Sequence, residues 1–463
     1  MKNDNTICAI STPQGVGGIA VIRMSGEEAF DICDKVFVSA SGKKVAGQKG
    51  YSVLFGKIAD GEKTIDEVLV SIFRAPHSFT GENSVEISCH GSMYIQQEIL
   101  RLLISNGASL AKNGEFTQRA FMNGKMDLSQ AEAVADLIAS QSAAAHRLAM
   151  SQMRGDFSNE LLKLRAKLLD FTSLIELELD FSEEDVEFAD RTQLQQLLKE
   201  IDEKISSLIR SFEAGNALKN GIPVAIVGET NAGKSTLLNA LVGEERAIVS
   251  DIHGTTRDVI EDTVNINGTL FRFVDTAGIR DTSDKIENLG IERSFQAIEK
   301  ASIVLWIINS LRYESSMEWL QEKILPRAQG KKLVLVLNKI DKLDDNEIQA
   351  LRIHFDNQTT PYIVISAKNK LQIDSLKDVL YQTAQIPEFG ENDIIVTNVR
   401  HFEALRNAQE ALNRVSEGMR NGISGDFVSQ DIRECLHYLG EITGTITTDE
   451  ILGNIFSKFC IGK

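Results

Sequence analysis

The stretch GETNAGKST, Gly228 to Thr236, puts a lysine and two hydroxyl residues directly behind a glycine. It satisfies the spacing G-x-x-x-x-G-K-[ST], follows the apolar run IPVAIV and precedes TLLNALVG. Such a loop between a strand and a helix cradles phosphates on backbone N–H groups, here those of Asn231, Ala232, Gly233, Lys234, Ser235 and Thr236. The Lys234 ammonium then reaches the β and γ oxygens, and the Ser235 hydroxyl ligates Mg²⁺. An ordinary glycine-rich turn can carry the same letters, so the pattern needs company.

Further stretches supply it. GTTRD offers Thr256 as a second hydroxyl for Mg²⁺, and DTAG (Asp275, Thr276, Ala277, Gly278) closes an apolar run. NKID, with Asn338, Lys339 and Asp341, follows KKLVLVL, and SAK (Ser366, Ala367, Lys368) follows YIVI. All stand at predicted strand ends or adjoining loops, where open α/β sheets bind ligands. The Asp341 carboxylate can accept from guanine N1–H and the 2-amino group together, and adenine lacks both donors there. The pattern therefore implies a guanine-nucleotide domain. One part of it is unusual. Ras-type GTPases carry a Gln just past the DTAG glycine to orient the attacking water, whereas here Ile279 and Arg280 follow. Ile279 can neither donate nor accept a hydrogen bond, and Arg280 as a finger competes with a local ion pair to Asp281.

The elements that must position these residues fall into three textures. Residues 1–122 mix short β-branched runs (GIAVIRM, VLVSIFRA, SVEISCH) with turns and a helical segment near 94–105, which reads as α+β. From Leu128 apolar residues recur at three- and four-residue spacing without Pro, predicting one long helix loosened near Gly155 and a second helical run over 191–216. Strand and helix patterns then alternate over 217–382, as βαβ units with a doubly wound, mostly parallel sheet require. Helical texture returns over 383–463. The expected division is 1–122, helical 123–216, nucleotide domain 217–382 inserted in the helical domain, and helical 383–463.

The chain holds 463 residues with 43% hydrophobic and 25% charged side chains, which suits two to four globular domains. Lys and Arg number 49 against 66 Asp and Glu, a net −17, so the chain as a whole is a poor autonomous binder of nucleic-acid backbones. RNA, if bound, needs a local patch or a partner. Five cysteines without a C-x-x-C pair fit a reducing compartment. With no apolar leader and no run of about 20 apolar residues, the expectation is a cytoplasmic protein without a membrane span.

Beyond the nucleotide motifs, TPQGVGGIAVIRMSG, HSFTGENSVEISCHG, GEFTQRAFMNGKMDLSQAEAVADLI and the terminal TDEILGNIFSKFCIGK make the chain resemble the MnmE (TrmE) family of tRNA-modification GTPases nearly end to end. The resemblance implies a multidomain α/β protein: an N-terminal α+β domain like folate-binding domains, an all-helical domain and an inserted P-loop GTPase domain. It implies a homodimer formed through the N-terminal domain. It also implies a heterotetramer with an MnmG-like FAD protein, which together modify C5 of the wobble uridine of certain tRNAs with an aminomethyl-type group. The family's folate contacts fall on Arg23, Glu86, Lys125 and Lys463, for 5-formyl- or methylene-tetrahydrofolate. A pterin shows the same amino-oxo face as guanine, so Glu86 could hold it as Asp341 holds the base. Read alone, Glu86 is the solvent side of a strand, and Lys125 and Lys463 are surface charges. For the missing Gln, the resemblance supplies K⁺ held by Asn231, Ser250, Ile252 and Thr255, with Asp251, His253 and Gly254 in the same nucleotide-contacting loop. It names Glu287 as the water-orienting residue, which by itself reads as an exposed helix charge. Catalysis is thus expected to rest on Lys234, Asn231 and Glu287.

Several features stay open on sequence. Cys460 is either a nucleophile or a small hydrophobe in an apolar plug, IFSKFCIGK. Cys89-His90 lacks companions at metal-ligand spacing and reads as strand-end packing. Gly15, Gly17 and Gly18 read as a tight turn, and SEEDVEF (182–188) as a solvated helix end or a docking face. Two other functions compete with tRNA modification. One is a ribosome-assembly GTPase, which the charge disfavours; the other is a folate-dependent one-carbon transferase with a regulatory nucleotide domain.

Overall fold

The computed structural model describes residues 5–180, 191–243, 262–274, 295–319, 322, 324–387, 390 and 393–462. They form two compact units, one of residues 1–138, 149–206 and 403–463, the other of 139–148 and 207–402.

The first unit opens with β1 (Ile7–Ile10), β2 (Gly17–Ser25), α1 (Ala29–Val36), β3 (Phe37–Ser39), β4 (Ser52–Asp60), β5 (Lys63–Phe73), β6 (Ser84–Gly91), α2 (Met93–Ser105), β7 (Ser109–Leu110) and α3 (Glu115–Met122). Its seven-stranded sheet runs β3-β4-β5-β6-β2-β1-β7, antiparallel except for β1 beside β7. Period-2 alternation gives the strands an inner face (Ile22, Met24, Ile58, Val70, Ile72, Val85, Ile87), which packs with Phe30 and Ile32 of α1 and Ile99 and Leu103 of α2 in one core. The outer face leaves Ile19, Val38, Val53, Phe55 and Leu69 exposed.

The helical texture resolves differently from the single long helix expected after Leu128. Three helices form instead, α4 (Leu128–Ala139), α5 (Ala143–Met153) and α6 (Asp156–Asp180). Serine chemistry explains the first break, since the Ser142 hydroxyl accepts from Ala145 N at 3.1 Å as an N-terminal cap. Gly155 makes the second, with φ 87° in the left-handed region and the Gln130 amide donating to Met153 O at 3.0 Å. After α7 (Arg191–Asn220) the helices Val399–Arg420, Gly425–Thr443 and Asp449–Phe456 complete the set. Within the first unit, Glu176 of α6 accepts from Arg433 and Ser429, and the Gln409 amide donates to Asp202 and Ser206 of α7.

The second unit holds β8 (Ile222–Gly228), α8 (Lys234–Val242), β9 (Asp262–Ile266), β10 (Thr269–Phe273), β11 (Ile303–Asn309), β12 (Lys332–Asn338) and β13 (Tyr362–Ile365). The sheet order is β13-β12-β11-β8-β10-β9, parallel except for β9. From β8 the chain goes out to β9 and β10 on one side, then returns to build β11, β12 and β13 on the other. The strand order therefore reverses at β8, and the crevice beyond its carboxyl end is where such sheets bind ligands. Both faces of β8 and β11 are buried. Val224, Ile226, Leu305 and Ile307 face Leu237 and Leu241 of α8, while Ala225, Val227, Val304 and Trp306 face Ile298, Leu351 and Phe355. That is why these strands read as unbroken apolar runs. No described helix is long and apolar enough to cross a membrane.

Gly56 on the inner face of β4 runs so close beneath β3 that a Cβ would land on the Val38 carbonyl oxygen and 2.7 Å from the Phe37 ring. Gly56→Val should therefore cost about 1–3 kcal/mol through overpacking, read as an earlier first transition in urea unfolding of the full chain. An unchanged transition would mean that the β3–β4 corner is not packed this tightly.

Candidate functional site

At the end of β8 the backbone turns sharply because Gly228 has no room for a side chain: a Cβ would land on the Ile307 carbonyl oxygen of β11. Asn231 (φ 64°) and Gly233 (φ 106°) both sit in the left-handed region, and Gly233 caps α8. A Cβ on Gly233 would meet the Asn338 amide nitrogen. Lys234, the first residue of α8, folds its ammonium back onto Gly228 O (2.8 Å) and Glu229 O (2.9 Å). Burial holds that ammonium below the ordinary lysine range, and Glu229 offsets this only at a distance. Among the described residues no carboxylate pairs with it. A half-buried cation satisfied, among the described residues, only by carbonyls at a helix N-terminus fits an anionic group such as a phosphate.

Asn338, the last residue of β12, is 3% exposed. Its Nδ2 donates to Ala232 O at 2.8 Å, and its Oδ1 accepts from Ala367 N at 3.0 Å. One amide thus ties the loop after β8 to the loop after β13. The next residue, Lys339 (φ 74°), donates from Nζ to Asn231 O at 2.5 Å. Burial and the neighbouring Lys342 lower its pKa. Asp341 rides on a single 3₁₀ turn, Ile340–Lys342, with a capping box between Asp344 and Glu347 behind it. Its carboxylate accepts from the Ser366 hydroxyl at 2.6 Å. Ser366 is fully buried, whereas Asp341 and Lys368 are exposed.

The structure therefore brings Asn231 to Thr236, Asn338, Lys339, Asp341 and Ser366 to Lys368 to one edge of one sheet. It also shows braces that the motif reading did not assign: Asn338 and Lys339 bind loop carbonyls, and the Ser366 hydroxyl orients Asp341. Only the pairing geometry could have revealed them, because the letters are the same either way. Ser250, Asp251, Ile252, His253, Gly254, Thr255, Thr256, Asp275, Thr276, Ala277, Gly278, Ile279, Arg280, Asp281 and Glu287 lie outside the described residues, as do the 182–188 run and Lys463.

A second polar site stands on the sheet of the first unit. Arg23 of β2 and Glu86 of β6 face each other in register, with Arg23 Nε and Nη2 both on Glu86 Oε1 at 2.9 and 2.7 Å. Glu86 Oε2 keeps its accepting capacity among the described residues. The guanidinium also lies 5.5 Å from the Phe79 ring and 5.7 Å from the Phe116 ring. Phe116 is fully buried and backs the guanidinium, so an open carboxylate oxygen beside the partly buried Phe79 is what this site offers an amino-bearing heterocycle. Lys125 does not join this pair. Its ammonium donates to Pro76 O at 3.0 Å and so pins the loop that carries Phe79.

The C-terminal segment docks on the same unit. Phe456 and Phe459 are buried with Leu128 and Leu452. Ile461 bridges to Asn113, and Gly462 O accepts from the Ser11 hydroxyl at 3.3 Å. Gly462 has φ 92°, and a Cβ there would land on Ile10 O. The plug is thus phenylalanine and glycine, and Cys460 is exposed instead of packed. Cys8, Cys33, Cys89 and Cys435 are buried, which pushes the Cys8 and Cys435 thiols up to about 12, Cys89 to about 11 and Cys33 higher than usual. Cys89 donates to Ala20 O at 3.6 Å, and His90 bonds to Asp66.

Residues 6–125 match the family model described as GTP-binding protein TrmE N-terminus, and residues 128–460 match the MnmE helical domain. The tRNA modification GTPase MnmE of Bacteroides thetaiotaomicron is 60% identical over 465 residues, covering 100% of both chains. That of Parabacteroides distasonis is 60% identical over 462 residues, covering 99% of this chain and 100% of its own. The MnmE of Flavobacterium johnsoniae is 52% identical over 466 residues, covering 100% of each.

Two outcomes are expected from this geometry. Asp341→Asn should lower GTP affinity more than about tenfold, a charge-assisted pair being worth ~1.5–3 kcal/mol, and should favour xanthosine triphosphate. Ser366→Ala, which frees the carboxylate and the Asn369 amide but keeps the carboxylate itself, should cost less; calorimetric titration ranks the two, and unchanged GTP binding by Asp341→Asn would remove it from the base site. The native chain should also expose one thiol to an aromatic disulfide reagent, and Cys460→Ser should expose none. A second fast-reacting thiol would contradict the burial of the other four.

Proposed function

The chain belongs to the MnmE (TrmE) family of tRNA-modification GTPases, and from that premise we propose a GTP-driven modification of C5 of the wobble uridine in certain tRNAs, carried out with an MnmG-like FAD protein. The observation that carries the hydrolytic half is the loop after β8, with its half-buried Lys234 and its carbonyls braced by Asn338 and Lys339.

In this reading the loop N–H groups and Lys234 hold the β and γ phosphates, while Ser235 and Thr256 supply hydroxyls to Mg²⁺. Asn231, held in a left-handed backbone with its carbonyl on Lys339, presents its amide oxygen beside the phosphates. With Ser250, Ile252 and Thr255 it forms the K⁺ site. Bound there, K⁺ supplies the fixed positive charge that an arginine finger supplies elsewhere. Glu287 orients the water that Ile279 cannot. The cation loop is completed when two nucleotide domains face each other, so hydrolysis follows their pairing.

The Arg23–Glu86 pair, with Lys125 and Lys463, is assigned to a tetrahydrofolate derivative, 5-formyl- or methylene-substituted. The open Glu86 oxygen, with Arg23 bonded beside it, meets the pterin, and the two lysines meet its glutamate tail. The exposed apolar outer face (Ile19, Val38, Val53, Phe55, Leu69) is what a homodimer formed through this domain would cover. Five thiols and an active tRNA substrate suit the cytoplasm.

Three measurements bear on this. Hydrolysis should run faster in KCl than in NaCl at equal ionic strength, Asn231→Ala should erase most of that difference, and Glu287→Ala should slow turnover while leaving GTP binding intact. Equal rates in the two salts would remove the K⁺ site. Deleting residues 461–463 should abolish folate binding and tRNA modification while GTP hydrolysis persists; normal modification by the truncated chain would remove Lys463 from the folate site. Mass spectrometry of wobble uridines from cells lacking the chain should show the unmodified base, and a normal base would overturn the tRNA assignment.

A further inference from the structure

Acids outnumber bases in the whole chain, 66 to 49, yet residues 35–59 contain five lysines and no Asp or Glu. Lys43, Lys44 and Lys49 stand in the loop between β3 and β4, and all three are exposed. The other two are offset. Lys57 faces Glu67 across β4 and β5, and Lys35 has Asp31 one turn away on α1. The excess therefore rests on the three loop lysines. Among the described residues they form no ion pair, whereas Lys163, Lys167 and Lys204 on α6 and α7 each lie beside Glu160 or Glu200 at 3.9, 3.4 and 3.1 Å. An unneutralised group of like charges attracts an extended polyanion.

The loop that carries them is braced on every side. Val45 is fully buried in the core beneath α1. The two carboxylate oxygens of Asp34, on α1, accept from Val45 N at 2.6 Å and from Ala46 N at 3.1 Å. Arg74, just past β5, donates from Nε to Gln48 O at 2.7 Å and from Nη2 to Ala46 O. Its guanidinium lies 4.8 Å from the Phe30 ring of α1. Gln48 closes the turn, with its N donating to Val45 O at 3.0 Å and its side-chain amide to Lys44 O at 3.1 Å. Asp34 and Arg74 cancel in charge and spend their polar atoms on the loop's backbone, so the lysines are what the loop presents. Val45, Asp34 and Phe30 all belong to the side of the sheet that α1 covers, opposite the outer face assigned to the homodimer.

We propose that this braced lysine loop binds the phosphate backbone of the tRNA substrate. The inference rests on the tRNA-modification reading above. A chain of net charge −17 repels RNA over most of its surface, so a local unpaired patch decides where RNA can touch it. Lysine is a compact point charge, and three of them hold phosphates without reading bases. A loop fixed before binding loses little freedom when the RNA arrives. An acidic face of a protein partner would meet the same lysines, but tRNA is the polyanion that the relatives' name itself supplies.

Fluorescence anisotropy of a labelled tRNA with the full-length chain, over a series of KCl concentrations, tests this. Lys43→Gln, Lys44→Gln and Lys49→Gln combined should weaken binding at least about tenfold near 0.1 M salt and lower the slope of log affinity against log salt by about 2 to 3. Lys43→Arg, Lys44→Arg and Lys49→Arg combined should bind as the wild type does. Lys163→Gln, Lys167→Gln and Lys204→Gln combined change the net charge equally and should leave affinity and slope unchanged. In the complex with the FAD protein the loop variant should raise the KM for tRNA, with kcat and GTP hydrolysis unaltered, and by the same factor for tRNAs of different sequence. Unaltered affinity and slope in the loop variant would overturn the inference, as would equal losses in the Lys163, Lys167 and Lys204 control. A wild-type chain that binds no tRNA at about 50 mM KCl would overturn it too. So would a loop variant that keeps its tRNA affinity and loses the FAD protein, which would make the loop a protein-docking surface. Each of these outcomes leaves the wobble-uridine assignment standing. That assignment falls only if cells lacking the chain keep a normal wobble base, and this inference then falls with it.

Discussion

The nucleotide site depends on the side-chain amide of Asn338. Buried at the end of β12, it donates to the loop after β8 and accepts from the loop after β13. Leaving either end unpaired would cost about 1–3 kcal/mol, so the two loops hold each other in place through one residue. The glycine at 233 exists to let that amide approach, and the left-handed Asn231 sits where Lys339 can hold its carbonyl. The loops after β8, β12 and β13 are thereby mechanically joined: Asn338 and Lys339 set the shape of the loop after β8.

The charge distribution follows the same economy. The chain is strongly acidic at −17, yet the loop at the end of β8 holds a half-buried ammonium that, among the described residues, pairs with no carboxylate. Such a group is unfavourable until an anion arrives, which makes ligand binding the event that relieves it. On the sheet of the first unit the logic is reversed. Arg23 is neutralised in advance by Glu86, and what remains available there is an acceptor oxygen beside the partly buried Phe79.

Glycine and phenylalanine make the C-terminal segment part of the first unit. Gly114 (φ 66°) lets Phe456 and Phe459 pack against α3, and Gly462 lets the last described turn lie on Ile10. Backbone approaches of this kind tolerate no Cβ, so the tail is seated by exclusion of side chains as much as by burial of rings.

The sequence by itself determined which chemistry the strand ends could carry. G-x-x-x-x-G-K-S, NKID and SAK declare themselves because phosphate and guanine binding demand particular groups at short, local spacing, and the apolar runs before them mark parallel strands. The α+β, helical and doubly wound textures were legible for the same reason, since side-chain periodicity is a local property. Tertiary structure decided the rest. Whether Asn338 touches a base or braces a loop, and whether Ser366 serves guanine or Asp341, depends on neighbours 25 or more residues away. The single helix expected after Leu128 broke into three because Ser142 and Gly155 found partners that periodicity does not encode. Cys460 lies outside the plug because the phenylalanines on either side of the turn filled it. Asp66 and His90, 24 positions apart and unremarkable as letters, became a pair only when β5 and β6 came into register, because a hydrogen bond across strands is fixed by pairing and not by spacing along the chain.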